Sequence, residues 1–93
     1  MIVAVLTVDL YIPGATSLKE KRAVLRKLKD RVGKKFNVSI AEVEFMDKWQ
    51  RARIGVAQVG NDYKFLEKSI NTIFKVIDNV DDAQVTDHSL EYL

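Results

Sequence analysis

The chain opens with a period-2 row of apolar residues, which is the pattern of a β-strand with one buried face. Apolar side chains occupy every even position from Ile2 to Ile12. Because successive side chains of a strand point to opposite faces, this row predicts a first strand whose even positions face the core. Pro13 and Gly14 end the strand, since proline cannot continue the ladder and glycine suits a turn.

The next segment predicts an amphipathic helix. Ser17 and Glu20 have the spacing of a capping box, so we expect the helix to begin at Leu18. An apolar arc recurs at the helical period and comprises Leu18, Val24, Leu25, Leu28 and Val32. Gly33 stands where a left-handed residue would end a helix of about four turns.

Two strands are predicted in the middle of the chain. Phe36 to Phe45 alternates, but its phase changes at Ala41, which indicates a bulge or a strand that extends beyond the core. The residues from Met46 to Gln50 form a short connection. The segment from Arg51 to Val59 is apolar on both faces, which is typical of a central strand.

The remaining sequence predicts a second helix and a last strand. Gly60 to Asp62 supplies a turn and a helix cap, and Asn79 is expected to end the helix. The inner stripe of this helix comprises Leu66, Ile70, Ile73 and Ile77. A weaker final strand is expected from Ala83 to Leu93.

The element order β-α-β-β-α-β predicts a ferredoxin-like α+β sandwich, with a four-stranded antiparallel sheet and two helices on one face. The 93 residues are expected to form a single domain, residues 1–93, with the first and third strands in the centre. Absence of cysteine suits a reducing compartment. The first apolar run lacks a basic leader and soon meets Asp9, so we expect a cytoplasmic protein without membrane attachment.

Three stretches of the chain resemble one known family. They are Val8–Leu10 with Ile12–Gly14 and Ser17–Arg22, then Phe36–Val43, and finally Trp49–Ala52. Together they are similar to the YlxP-like family of small uncharacterised bacterial proteins, and the resemblance covers nearly the whole chain. It implies a ferredoxin-like fold, a cytoplasmic setting and genes near those of translation and ribosome maturation factors. It implies no established activity and no catalytic residues.

The first helix concentrates positive charge. Ser17 to Lys35 contains nine basic and two acidic side chains, a local net charge of about +7, while the rest of the chain carries about −5. Such a row can bind phosphate backbones without base contacts, although a merely solvated face is the more ordinary interpretation of a lysine-rich helix. We expect binding of RNA or of a ribosome through the basic helix. The predicted contacts are Lys19, Arg22, Arg26, Lys27 and Lys29.

Three other side chains near this helix invite a contact role. Lys21 falls inside the apolar arc, where we expect it to snorkel past the helix start or to meet a carboxylate such as Asp9. Trp49, with Arg51 beside it, stands in the predicted hairpin, where an exposed ring could stack on a base. The alternative for Trp49 is a ring that folds over the core edge or lies in a subunit contact.

The sequence offers few candidate catalytic residues. His88 is the only histidine, and we expect it at the surface or packed on a strand, without a metal partner. Asp9, Glu42 and Glu44 could act as paired acids, but carboxylates at strand ends more often pair with basic side chains. We expect no cofactor, no metal and no enzymatic activity.

One face of the predicted sheet carries no helix. Val3 and Val5 of the first strand should lie there beside small residues of the third strand, and this apolar patch predicts a homodimer. The rival to RNA binding is therefore a homo-oligomeric regulatory module that binds protein or a small ligand. Ile2 to Leu10 contains no aromatic residue, and Arg53 to Val59 lacks the ring positions on which RNA-recognition modules stack bases.

Overall fold

The computed structural model describes residues 1–93 and contains four strands and two helices. In chain order the elements are β1 (Ile2–Tyr11), α1 (Leu18–Lys35), β2 (Ser39–Glu44), β3 (Arg51–Gly60), α2 (Tyr63–Asp78) and β4 (Gln84–Tyr92). The strands form one antiparallel sheet in the order β2-β3-β1-β4. This is the predicted ferredoxin-like α+β fold, with β1 and β3 in the centre. Neither helix has the combined length and apolarity that crossing a membrane requires.

The core lies between the sheet and the two helices. The even positions of β1 are buried from Ala4 onward, and in the register Leu6 lies opposite Val56 of β3 and Leu90 of β4. The predicted stripe of α2 is fully buried as well. Seventeen buried apolar residues from all layers form one cluster. The period-2 and helical rows therefore predicted the core correctly.

The first helix begins at the predicted residue but is capped differently. The backbone N–H of Glu20 donates to Ser17 Oγ at 3.1 Å, as a capping box requires. The Glu20 carboxylate, however, accepts from the backbone N–H of Thr16 at 2.6 Å and from the Thr16 hydroxyl, rather than from Ser17. The return bond is thus displaced by one residue towards the chain start.

The expected helix stop at Gly33 is wrong. No glycine in the chain has a positive φ, and α1 continues through Gly33 to Lys35. The N–H of Phe36 donates to the carbonyl of Val32 at 3.0 Å, so the helix ends two residues beyond Gly33. Phe36 packs against the core, which favours the longer helix.

The second strand is shorter than predicted, because it begins at Ser39 rather than Phe36 and ends at Glu44. The expected bulge is confirmed: the register with β3 shifts between Glu42 and Glu44. Phe45 follows with a φ of 64°, a left-handed conformation that is uncommon for a residue with a side chain. The chain turns sharply there into the β2–β3 hairpin.

Candidate nucleic-acid interface

The solvent side of α1 carries a row of unpaired positive charges. Its exposed basic residues are Lys19, Arg22, Arg26, Lys27, Arg31, Lys34 and Lys35, and Lys29 is half-buried on one flank. The three salt bridges of the structure use only Lys21 and Arg53 as their cations. None of the basic side chains on this outer face therefore forms a salt bridge within the protein.

The two flanks of α1 have different electrostatic surroundings. Lys27 and Arg31 line a shallow hollow of about 190 Å³ together with Asp81 and Asp82 of the loop before β4. A second hollow of about 350 Å³ at the start of α1 is lined by Glu20 and by the same two aspartates. Carboxylates therefore border this flank of the helix.

The other flank of α1 is the more favourable one for an anion. At 100° per residue, Arg22, Arg26 and Lys29 fall within a 60° arc on the side away from Lys27. None of the three lines either acidic hollow. We call Arg22, Arg26 and Lys29 the basic flank. The predicted contact set is thus divided, since Lys27 shares its side with carboxylates.

Hydrogen bonds of Thr16 keep the acid at the start of α1 ionised. The Thr16 hydroxyl and backbone N–H hold the pKa of the exposed Glu20 carboxyl below its ordinary value. A negative charge suits the positive end of the helix dipole. It also disfavours phosphate beside Glu20, on the flank of α1 that Asp81 and Asp82 border.

Lys21 is an internal anchor rather than a surface contact. Its side chain is fully buried, and Nζ lies 2.8 Å from Glu42 Oε2. The same ammonium donates to the carbonyl oxygens of Phe45 at 2.8 Å, Arg51 at 3.2 Å and Met46 at 3.4 Å. It therefore fastens the first turn of α1 to both ends of the β2–β3 hairpin.

The expectation that Lys21 meets a carboxylate is confirmed, but Asp9 is the wrong partner. Asp9 occupies an odd position of β1, so it lies on the sheet face without helices and cannot reach the inner side of α1. Glu42 lies on the core face instead, in phase with Ile40 and before the register shift of β2. The available signal was the strand period, which places Glu42 on the same face as Ile40.

The β2–β3 hairpin presents Trp49 to solvent. The side chain is 55% exposed, so it does not fold over the core edge. Its neighbour Gln50 is held on both sides: Nε2 donates to the carbonyls of Pro13 and Ala15 at 3.2 and 3.1 Å, and the backbone carbonyl accepts from Ile12 at 2.8 Å. The exposed ring thus adjoins a fixed segment beside the loop that leads into α1.

Arg51 lies on the opposite side of the sheet from α1. Its guanidinium stands 4.1 Å from the centre of the Phe45 ring, a cation–π contact, and Arg53 stacks on the same ring at 5.1 Å. Val3 and Val5 belong to that bare face too, towards its other end. The structure therefore does not bring Arg51, Val3 or Val5 together with the basic helix.

An ion cluster occupies the bare sheet face near Arg51. Arg53 grips both carboxylate oxygens of Asp9, at 2.6 and 3.0 Å, and also donates to Glu44 at 2.6 Å. The Arg53 hydrogen bond holds the pKa of the Asp9 carboxyl below its ordinary value, against partial desolvation. Arg53 was missed by sequence reasoning. The strand register could have identified Arg53, because Asp9 lies directly opposite it once β1 and β3 are paired.

His88 has the packing role expected of it. Its ring stands 4.4 Å from the ring of Phe74 on α2, measured between centroids. His88 pairs with Val8 in the sheet. The described residues contain no cluster of three or more metal-ligating side chains.

A family model described as a protein of unknown function, DUF503, matches residues 3–90. The chain belongs to this family. The protein YlxP of Bacillus subtilis (strain 168), itself described as uncharacterised, is 43% identical over 78 residues, which are 84% of this chain and 85% of that protein. The resemblance drawn from the sequence is therefore confirmed.

Solved structures share the fold at low identity. SnoaB, a cofactor-independent oxygenase from Streptomyces nogalater, superposes with a TM-score of 0.61 at 8% identity, over 98% of this chain and 92% of that one. A C-terminal segment of the α subunit of aIF2 from Pyrococcus abyssi gives 0.52 at 17% identity, over 98% and 49%. At such identities the likeness concerns the fold alone.

Proposed function

We propose that this protein binds RNA, alone or on the surface of a ribonucleoprotein particle, through the outer face of α1. One observation carries the proposal: the basic side chains of that face have no ion-pair partner within the protein. Unpaired cations in a row gain free energy by releasing the counterions condensed on a phosphate backbone. A helix surface of this kind binds without reading base sequence.

The basic flank supplies the strongest part of this surface. Arg22 and Lys29 stand seven residues apart, about 10 Å along the helix axis at 1.5 Å per residue, and Arg26 lies between them. That length suits a short run of phosphates. Lys19 adds charge on the outer side near the first turn, whereas Lys27 contributes less because of Asp81 and Asp82.

Trp49 is the candidate for contact with a base. Lys21 and Gln50 fasten the hairpin that carries it to the start of α1. An exposed ring on a fixed segment loses little entropy when a base stacks on it, and such stacking tolerates any base. A strand that follows the basic flank towards the start of α1 would approach this ring.

Binding rather than catalysis is the activity we propose. The best-placed carboxylate of the bare face, Asp9, has both oxygens engaged by Arg53. Its pKa is lowered, so it stays ionised at neutral pH and is a poor general acid. This arrangement supports a structural role for the cluster.

The test compares two triple charge reversals of equal size. Arg22→Glu, Arg26→Glu and Lys29→Glu together remove the basic flank. The matched control reverses three exposed lysines of α2, namely Lys64, Lys68 and Lys75. Retention on immobilised ribosomal RNA should be lost in the first variant and kept in the control, with unchanged circular dichroism in both.

Equal losses of RNA binding in the two variants would show that net charge alone matters, and RNA retention by the first variant would remove α1 from the interface.

The rival function, a homo-oligomeric binding module without nucleic acid, is favoured by the apolar sheet face opposite α1. Its binding to a protein or ligand would scarcely respond to salt, whereas phosphate binding weakens steeply.

A further inference from the structure

The sheet face without helices is divided into a polar and an apolar half. Its polar half contains the cluster of Asp9, Arg53 and Glu44. The residues of the other half, which we call the apolar half-face, are Val3, Val5, Ala41, Val43, Ala57 and Val59. Val59 is 60% exposed and Val43 is 45% exposed. Aliphatic side chains on a half-covered sheet leave apolar surface in water, which is unfavourable.

The apolar half-face contains a shallow hollow with exposed apolar surface beyond it. A shallow depression of about 270 Å³ lies between β2 and β1, with Val5, Ala41, Val43 and Ala57 among its lining residues. Val3 and Val59 lie opposite each other in the register, beyond the depression. A two-fold axis would place this face of one copy against the same face of another.

Gly55 does not provide the close backbone approach that the small residues of β3 suggest. A Cβ added there would lie 3.2 Å from Val43 Cγ1, so the valine already covers this glycine. The packing would therefore be between side chains, with Ala41 and Ala57 at the bottom of the depression. Sheets that stack in this manner stand about 10 Å apart.

The charge of the apolar half-face indicates which kind of partner could bind there. The six residues of the apolar half-face are all uncharged, and the nearest charge in the register is Glu91, opposite Val5. The polar half is already neutralised internally through Arg53. A polyanion finds no cation on this half-face and an acid at its border, so the surface suits an apolar partner.

We infer that a second copy of this chain covers the apolar half-face, sheet against sheet. The available area is close to what is needed: four strands of six to ten residues, at about 3.3 Å per residue and about 4.8 Å spacing, give a face of roughly 550 Å² in projection. A pleated surface has more accessible area than its projection, and stable interfaces bury about 800 Å² per partner. A stable dimer would therefore need to bury the entire sheet face, including the apolar half-face.

The pairing has a consequence for the basic helices. Since α1 lies on the other side of the sheet, each copy keeps its outer face free and the two helices point away from each other. The dimer would then carry two separate basic surfaces on opposite sides. The inference itself does not depend on RNA binding, because it rests on the bare face alone.

The experiment measures mass in solution without nucleic acid. Light scattering at tens of micromolar should give twice the chain mass of 10.6 kDa for the wild type. Val5→Glu places a charge in the interface and should give a folded monomer. Asn71→Glu, on the outer side of α2, is the matched control and should stay dimeric.

A second variant guards against a folding defect. Val59 is more exposed than Val5, so Val59→Lys disturbs the monomer less and should also dissociate the dimer. A monomeric wild type would overturn the inference. Folded dimers of both variants would overturn it too, because the copies would then meet through another surface.

Discussion

Replacing Lys21 by methionine tests the anchor between α1 and the hairpin. The change keeps the length of the side chain but removes its ammonium. Glu42 then loses its ion-pair partner at 2.8 Å, and the carbonyls of Phe45, Met46 and Arg51 lose their shared donor. Removing one partner of a buried pair costs about 3–5 kcal/mol.

The lower end of that range is expected here. The Glu42 side chain keeps 16% of its surface exposed, so water can solvate part of the abandoned charge. A loss of about 3 kcal/mol lowers the melting temperature of a domain this size by roughly 12–24 °C, since each kcal/mol is worth about 4–8 °C. Thermal unfolding followed by circular dichroism measures it.

A double variant separates the buried charge from the lost packing. Lys21→Met with Glu42→Gln should recover part of the stability, because no uncompensated carboxylate remains. The coupling energy from the double-mutant cycle should fall within about 0.5–3 kcal/mol. A single variant that melts within about 4 °C of the wild type, or a double variant that is less stable than either single one, would refute the anchor.

Three smaller perturbations test local features. Ser17→Ala removes an N-cap and should cost about 1 kcal/mol, a fall of several degrees in melting temperature, and an unchanged curve would deny the cap a role. Gly33→Ala should stabilise α1 by about 0.5–1 kcal/mol in urea denaturation, since an added Cβ meets nothing within 4 Å; destabilisation would contradict a helical Gly33. The lowered pKa of Asp9 means that its contribution to stability is present above the ordinary value of 3.8 and is lost as pH falls through the lowered value. Asp9→Asn should therefore flatten the acid limb of the free energy of unfolding against pH, and an unchanged limb would mean that Arg53 does not stabilise the fold through this carboxylate.

Local patterns predicted most of the fold. The even row of β1 and the stripe of α2 each report one buried face, so their elements and core residues followed from periodicity alone. The cap at Ser17, and a cap within Gly60–Asp62, were predicted because a cap interacts with residues two or three positions away. Such features depend only on residues close by in the chain, so they can be predicted from the sequence directly.

Features that depend on distant residues were harder to predict. Gly33 has the right chemistry for a helix stop, but the packing of Phe36 on the core extends α1 beyond it. The partner of Lys21 depends on which sheet face each carboxylate occupies and on how α1 crosses the sheet, and the residues next to Lys21 determine neither. The acidic border formed by Asp81 and Asp82 lies far from α1 in sequence, so composition alone could not distinguish the two flanks.

The salt dependence of RNA binding tests the central claim most directly. If the three cations of the basic flank each contact a phosphate of a single strand, the plot of log K against log salt should have a slope of about −2 or steeper. The triple reversal of Arg22, Arg26 and Lys29 should remove that slope, while the triple reversal on α2 should leave it unchanged. A wild-type slope near zero, or an equal change in both variants, would contradict RNA binding through α1.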